Sequence, residues 1–113
     1  MGSLFIDNSH WRVIAPTLPG PFPYATGGEN QICESMDDGK SWEVIKQVTS
    51  KSALNHSYMR RTVNGRDPFY YFWSDGDPQR LSRSIIYFGN STGDHWCLPY
   101  EMNTPFSIPE KKI

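Results

Sequence analysis

The stretch "SMDDGKSW", residues 35–42, places two carboxylates, a glycine and two serines ahead of a tryptophan. It can be interpreted as a catalytic acid cluster, a calcium loop or a tight turn. A calcium loop of the EF-hand type needs further oxygen ligands and a closing Glu, which are missing here. Asp and Ser side chains bond to nearby backbone, and glycine accepts a positive φ. The stretch therefore predicts a turn in which Asp37 accepts backbone N–H groups and Trp42 packs as the next strand begins, and a catalytic role of Asp37 and Asp38 is the weaker alternative.

The remaining chain is typical of short strands and has almost no helical periodicity. The candidate strands are "WEVIKQV" (42–48), "HSYMRRTV" (56–63), "FYYFW" (69–73) and "SIIYFG" (84–89). The last two are continuous apolar and aromatic runs, as expected of strands that are covered on both faces. The segments 64–68 and 75–80 have turn composition, and four prolines keep 15–28 out of any central strand. These signals predict an all-β chain.

Composition excludes several classes of function. The chain has 113 residues, enough for one small domain, and its formal charge of -1 favours neither nucleic acid nor an anionic membrane as partner. No apolar run approaches the roughly 20 residues of a membrane span, and the first residues carry no export signal. Cys33 and Cys97 lie too far apart in sequence to indicate a metal site or a redox pair. We therefore expect no metal and no cofactor.

A repeat emerges when three tryptophans, Trp11, Trp42 and Trp96, are aligned. Each follows a polar turn and precedes apolar residues, and counting back three positions gives Asn8, Gly39 and Gly93. Asn and Gly tolerate a left-handed backbone, so the three turns could share one geometry. The spacings between the tryptophans are 31 and 54 residues, whereas a propeller blade takes about 40–50.

Through Ser35, Asp37, Gly39 and Trp42 the opening stretch matches Ser-x-Asp-x-Gly-x-x-Trp. It resembles the Asp-box, or BNR repeat, of sialidase-like β-propellers, which joins the third and fourth strands of a blade away from the active site. On this resemblance "GNSTGDHW" (89–96) is a degenerate box that keeps Gly93 and Trp96. Because it lacks the carboxylate, we expect its hairpin to be less firmly tied.

Further segments resemble BNR-repeat proteins of bacterial polysaccharide-degrading systems, which are related to propeller polysaccharide lyases. They are "PYATGGE" (23–29), "NHSYMRR" (55–61), "FYYFWSDGDP" (69–78) and "LPYEM" (98–102). The resemblance implies a partial β-propeller of about two four-stranded antiparallel blades. Residues 1–49 would hold one or more partial blades that end in the Asp-box and an outer strand, 50–102 one complete blade, and 103–113 a C-terminal tail.

This fold carries expectations about the whole protein. A closed propeller needs at least four blades, about 160 residues. We therefore expect the chain to be the C-terminal portion of a larger carbohydrate-active protein, to be inactive alone, and to self-associate through open blade faces. The resemblance suggests an exported bacterial protein that acts on acidic polysaccharide as a hydrolase or lyase. A non-catalytic module that binds glycan or protein is the alternative.

Innermost strands of a propeller line its channel, so the segment after residue 55 supplies the candidate site. His56, Tyr58 and Arg60 are spaced by two and would share one face of a strand. A uronate lyase needs a base, an acid and a cation on the substrate carboxylate, and we assign His56 and Tyr58 to catalysis and Arg60 to binding. Arg61 and Glu29 are further candidate substrate ligands. The alternative is that His56 is a satisfied histidine at a blade interface and that Tyr58 is a packing residue.

Overall fold

The computed structural model describes residues 3–7, 10–23 and 27–112, and these ranges contain strands and no helix. Four strands form sheet 1 in the order of the chain, with every neighbouring pair antiparallel. They are β1 (Ser3–Asp7), β2 (His10–Pro16), β3 (Asn30–Ser35) and β4 (Glu43–Gln47). The first part of the chain, predicted as one or more partial blades, thus contains a four-stranded sheet.

Sheet 2 holds the other six strands and is also antiparallel. They are β5 (Asn55–His56), β6 (Arg60–Arg66), β7 (Phe69–Gly76), β8 (Ile86–Gly89), β9 (His95–Cys97) and β10 (Glu110–Lys112). Both β5 and β6 pair with β7, so together they take the place of one interrupted first strand. The predicted all-β class is confirmed. Residues 110–112, predicted as part of a tail, pair with β9.

The two sheets pack face to face around an apolar core. Sheet 1 contributes Phe5, Ile14 and Ile32, and sheet 2 contributes Tyr71 and Trp73. Tyr71 is fully buried and Trp73 is 2% exposed. Burying a large apolar side chain contributes roughly 1.5–3 kcal/mol, so these contacts stabilise the pairing of the sheets.

Only one face of each sheet is covered in this way. Along β7 the side chains alternate, so Tyr71 and Trp73 point into the core while Phe72 between them is 43% exposed. Ile86 in β8 is 52% exposed. Among the residues that the structure describes, sheet 2 has a packing partner on one side only, so the prediction that the apolar runs are covered on both faces is wrong for the single chain.

The turn of residues 89–96 is held against sheet 1 by polar contacts. Arg12 Nη1 donates to the Ser91 carbonyl at 2.6 Å, and Lys46 Nζ donates to the Thr92 carbonyl at 3.2 Å. Gly93 has a φ of +96°, and a Cβ at this position would lie 3.1 Å from Ile32 Cδ1. Glycine is needed here for both its backbone conformation and its close approach to sheet 1.

The tryptophan turns are not all equivalent. The turn before Trp42 joins β3 to β4, and the turn before Trp96 joins β8 to β9, which are the third and fourth strands of sheet 2 when β5 and β6 are counted as one; Trp11 instead follows the connection of β1 to β2. Asn8 lies outside the described residues. The predicted packing of Trp42 is also wrong, since this side chain is 44% exposed and its Nε1 donates to the Gly39 carbonyl at 3.0 Å. An exposed edge strand gives it no core to enter.

Candidate functional site

The carboxylate of Asp37 is used within its own turn. Its Oδ1 accepts from Ser35 Oγ and from the Ser41 N–H, both at 2.8 Å, and Oδ2 accepts from Ser41 Oγ. The bonds from Ser41, followed by that from Ser35, lower the pKa of Asp37 to about 2. Gly39 takes a φ of +85°, and its N–H donates to Ser35 Oγ at 2.9 Å. This arrangement stabilises a turn and commits the carboxylate of Asp37 to it.

The second turn, which we predicted to be less firmly tied than the first, is also held by side-chain hydrogen bonds. Asn90 Oδ1 accepts from the N–H groups of Thr92 and Asp94 at 3.1 and 2.9 Å. Asp67, in the connection from β6 to β7, accepts from the Ser91 N–H and from Ser91 Oγ, both at 2.8 Å. A carboxylate from a neighbouring connection thus serves a turn whose own sequence lacks one at that position.

His56 is buried, with 3% of its surface exposed, and both of its ring nitrogens have partners. Trp73 Nε1 donates to Nδ1 at 2.9 Å, and Ser52 Oγ lies 2.8 Å from Nε2. An indole N–H can only donate, so Nδ1 is the acceptor and the proton of the neutral ring lies on Nε2. Burial lowers the pKa of His56 against the opposing attraction of Glu29 and Asp75. His56 is therefore a neutral, hydrogen-bonded histidine beneath the surface.

Ser52 connects His56 to Glu29. Its Oγ accepts from Nε2 of His56 and donates to Glu29 Oε2 at 2.9 Å. Glu29 also accepts from the Ser52 N–H at 2.7 Å and from Thr49 Oγ1 at 2.5 Å. Burial raises the pKa of Glu29, but hydrogen bonds from Thr49 and Ser52 outweigh it, so the net pKa is lowered and the carboxylate is stabilised as an anion. A hydrogen-bonded path thus runs from the indole of Trp73 to a charged carboxylate.

The predicted trio does not converge on one point. Residues 57–59 interrupt the strand between β5 and β6, so the alternation that would have aligned the three side chains is broken. Tyr58 is 43% exposed and Arg60 lies 6.0 Å from its ring centroid. Both line an open-face cleft of about 250 Å³ that does not include His56. Arg61 lies elsewhere again, over the Phe5 ring at 5.0 Å.

Asp75 and Tyr87, which were not among the predicted site residues, lie beside His56. Asp75 is opposite His56 in the pairing of β5 with β7, and its Oδ2 accepts from Tyr87 Oη at 2.8 Å. Burial, followed by this hydrogen bond, raises the pKa of Tyr87, which keeps its hydroxyl protonated. Alternation along "FYYFWSD" places Asp75 on the same face as Trp73, and this signal could have identified it.

These side chains border a polar cleft of about 270 Å³ between the 49–54 connection and sheet 2. Its polar lining comprises Thr49, Ser50, Ser52, His56, Asp75, Tyr87, His95 and Lys112. Burial lowers the pKa of His95 as well. Lys112, in the segment that we predicted as a tail, supplies a cation to the cleft. Strand directions place Glu29, Ser52, His56 and Asp75 at the ends of the sheets opposite the turns at 35–42 and 89–96.

Within the described ranges no group of three or more His, Cys, Asp or Glu side chains could hold a metal ion. The same ranges contain no helix that is long and apolar enough to cross a membrane. Comparison with models of known protein families finds no match, and searches of curated proteins and of solved structures likewise match none. The case for a function therefore depends on the residues themselves.

Proposed function

We propose that this chain forms two blades of an Asp-box β-propeller protein that acts on acidic polysaccharide, with the polar cleft as the glycan site. The observation that carries the proposal is that Ser52, His56 and Asp75 line this cleft at the end of the sheets remote from both glycine turns, with Glu29 hydrogen-bonded to Ser52 outside the cleft lining. In the proteins that the sequence resembles, the boxes also lie away from the active site. A four-stranded antiparallel meander packs on the antiparallel sheet 2, in which β5 and β6 together, β7, β8 and β9 follow the same order and β10 is added at the edge; this arrangement is consistent with neighbouring blades.

The chemistry of the cleft suits a sugar acid. Carboxylate, hydroxyl and imidazole groups bind sugar hydroxyls through hydrogen bonds. Lys112, whose Nζ lies 4.0 Å from Glu110 Oε1 in an exposed ion pair, brings a positive charge to the cleft lining that a uronate carboxylate can share. Arg60 and Arg61, the predicted ligands of that carboxylate, lie outside this cleft. Lys112 therefore replaces them in the proposal as the cation that selects an acidic glycan.

Cleavage would require one group of the cleft to exchange protons with substrate. Elimination from a uronate removes the C5 proton to a base and breaks the C4–O bond as an acid protonates the leaving oxygen. His56 can serve as base only if Nδ1 is released from Trp73, because Nε2 already carries the proton of the neutral ring. This occupancy favours the second candidate function, a module that binds glycan without cleaving it.

The test compares binding of polygalacturonate and of a neutral glucan of similar length by isothermal titration calorimetry. We expect preference for the acidic chain, and we expect Lys112→Gln to weaken binding by about tenfold, a typical effect for one charge-assisted hydrogen bond. Lys111→Gln is the matched control, because Lys111 is adjacent and exposed but lies by the Trp96 ring instead of the polar cleft. Equal affinity for both polymers would refute the proposal.

Product assays then distinguish the reaction classes. New reducing ends accompanied by the absorbance of unsaturated uronates indicate a lyase, and reducing ends without that absorbance indicate a hydrolase. Binding without either product supports the binding module. If product forms, the His56→Ala variant is decisive, since unchanged turnover would remove His56 from catalysis.

A further inference from the structure

Each sheet leaves one apolar face open to solvent. The open face of sheet 2 carries Phe72, Ile86 and Phe88, and the first two are 43% and 52% exposed. The open face of sheet 1 carries Leu4 and Ile6, which are 40% and 57% exposed. Contiguous apolar surface of this kind marks interaction sites in soluble proteins.

Each open face is equivalent to the face that the other sheet buries in the contact between sheets 1 and 2. Gly39 and Gly93 are 54 residues apart, and aligning them aligns β3 with β8, so that Ile32 corresponds to Ile86. Ile32 pairs with Ile14 and Ile86 pairs with Ser74, which fixes the correspondence of β2 with β7 as well. The covered face of sheet 1 is therefore equivalent to the open face of sheet 2.

The converse also holds. Trp73, on the covered face of sheet 2, corresponds to Val13, which lies beside Leu4 on the open face of sheet 1. The contact between the sheets is thus head to tail, because it joins unlike faces of two similar units. A head-to-tail contact leaves the open face of sheet 1 at one end of the chain and the open face of sheet 2 at the other. These two different faces can repeat the same contact between two copies of the chain.

We propose that the open face of sheet 2 binds the open face of sheet 1 in a second copy of this chain, and that such contacts close a ring of two to four copies. Propellers contain about four to eight blades, which at two blades a chain gives this range. The contact rests on the packing observed between the sheets, and closure of the ring rests on the proposed two-blade fold.

The assembly would cover the open-face cleft of Tyr58 and Arg60, because Phe72 and Ile86 line that cleft too. The polar cleft lies on the opposite side of sheet 2 and would stay accessible. Glycan binding and assembly can therefore be measured separately. A chain that fails to bind glycan can still assemble, and a chain that fails to assemble can still bind glycan.

The experiment measures the molar mass of the 113-residue chain by size-exclusion chromatography with light scattering over a concentration series. We expect a single species of two to four times the 13.0 kDa chain. A monomer at every concentration, or an open series of increasing sizes, would overturn the proposal without any variant.

Two variants test the head-to-tail arrangement. Ile86→Glu blocks one face and Ile6→Glu blocks the other, and each alone should give a monomer. Mixed in equal amounts they should form a species of two chains and no larger one, because only one intact pair of faces remains. Leu81→Glu is the control, at a side chain that is fully exposed in the connection after β7. If Ile6→Glu assembles as the wild type does, like faces pair with each other and the proposal fails.

Discussion

Removal of the Ser52 hydroxyl is the most direct test of the hydrogen-bonded path between Glu29 and His56. In Ser52→Ala the Nε2–H of His56 loses its acceptor while the ring stays buried at 3% exposure. A buried donor without a partner costs about 1–3 kcal/mol. The carboxylate of Glu29 loses less, because it keeps the hydroxyl of Thr49 and the Ser52 N–H. We therefore expect a loss of about 1–3 kcal/mol, a large share of the about 5–15 kcal/mol that stabilises a typical domain.

Urea denaturation of the 113-residue chain measures this loss. With an m-value of about 1.5 kcal/mol/M, the midpoint should fall by about 0.7–2 M. Ser50→Ala, at an exposed serine of the same connection, is the matched control and should leave the midpoint in place. Coincident midpoints for the two variants would refute the reasoning, since water would then satisfy His56 as well as Ser52 does. The ¹⁵N shifts of the His56 ring give an independent check, because the Trp73 contact requires the Nε2–H tautomer in the wild type.

Two further predictions concern pH and backbone conformation. Burial lowers the pKa of both His56 and His95, so below about pH 6.5 the unfolded chain binds more protons than the folded chain. The free energy of unfolding should therefore fall as the pH drops from about 7 to 5. A urea midpoint that stays constant over this range would contradict the assignment of neutral histidines. Gly93→Ala forces a φ of +96° on a side chain and brings its Cβ within 3.1 Å of Ile32, so we expect it to lower the free energy of unfolding by about 1–3 kcal/mol. Gly76→Ala is the control, since its new Cβ meets nothing nearer than 3.9 Å, and equal midpoints for both alanine variants would argue against strain at Gly93.

Local signals predicted four of the strands and the hydrogen bonding of the first turn. The hydrogen bonds of the 35–42 turn join residues at most four positions apart, so the identities of Ser35, Asp37 and Gly39 suffice to specify it. The segments proposed as strands contain β4, β6, β7 and β8 in whole or in part. Short-range patterning determines these features because each depends on the backbone preferences of a few neighbouring residues.

The candidate site depended on contacts that no local pattern specifies. The spacing of His56, Tyr58 and Arg60 is that of one strand face, but the interruption at 57–59 turns His56 to the core and leaves the other two on the open side of the sheet. Ser52 meets a carboxylate 23 residues away, and His56 meets an indole 17 residues away. No local sequence pattern predicts these contacts, because only the pairing of the strands brings the partners together.

The sequence by itself determined that the chain is all-β and where its first glycine turn lies, because alternation and turn chemistry act over a few residues. Only the packing of one sheet on the other decided which aromatic side chains are buried, which apolar faces stay open, and which polar groups share a cleft. The physical reason is that burial and hydrogen-bond partners belong to surfaces brought together across the fold, and a side chain's own neighbours in sequence do not fix them.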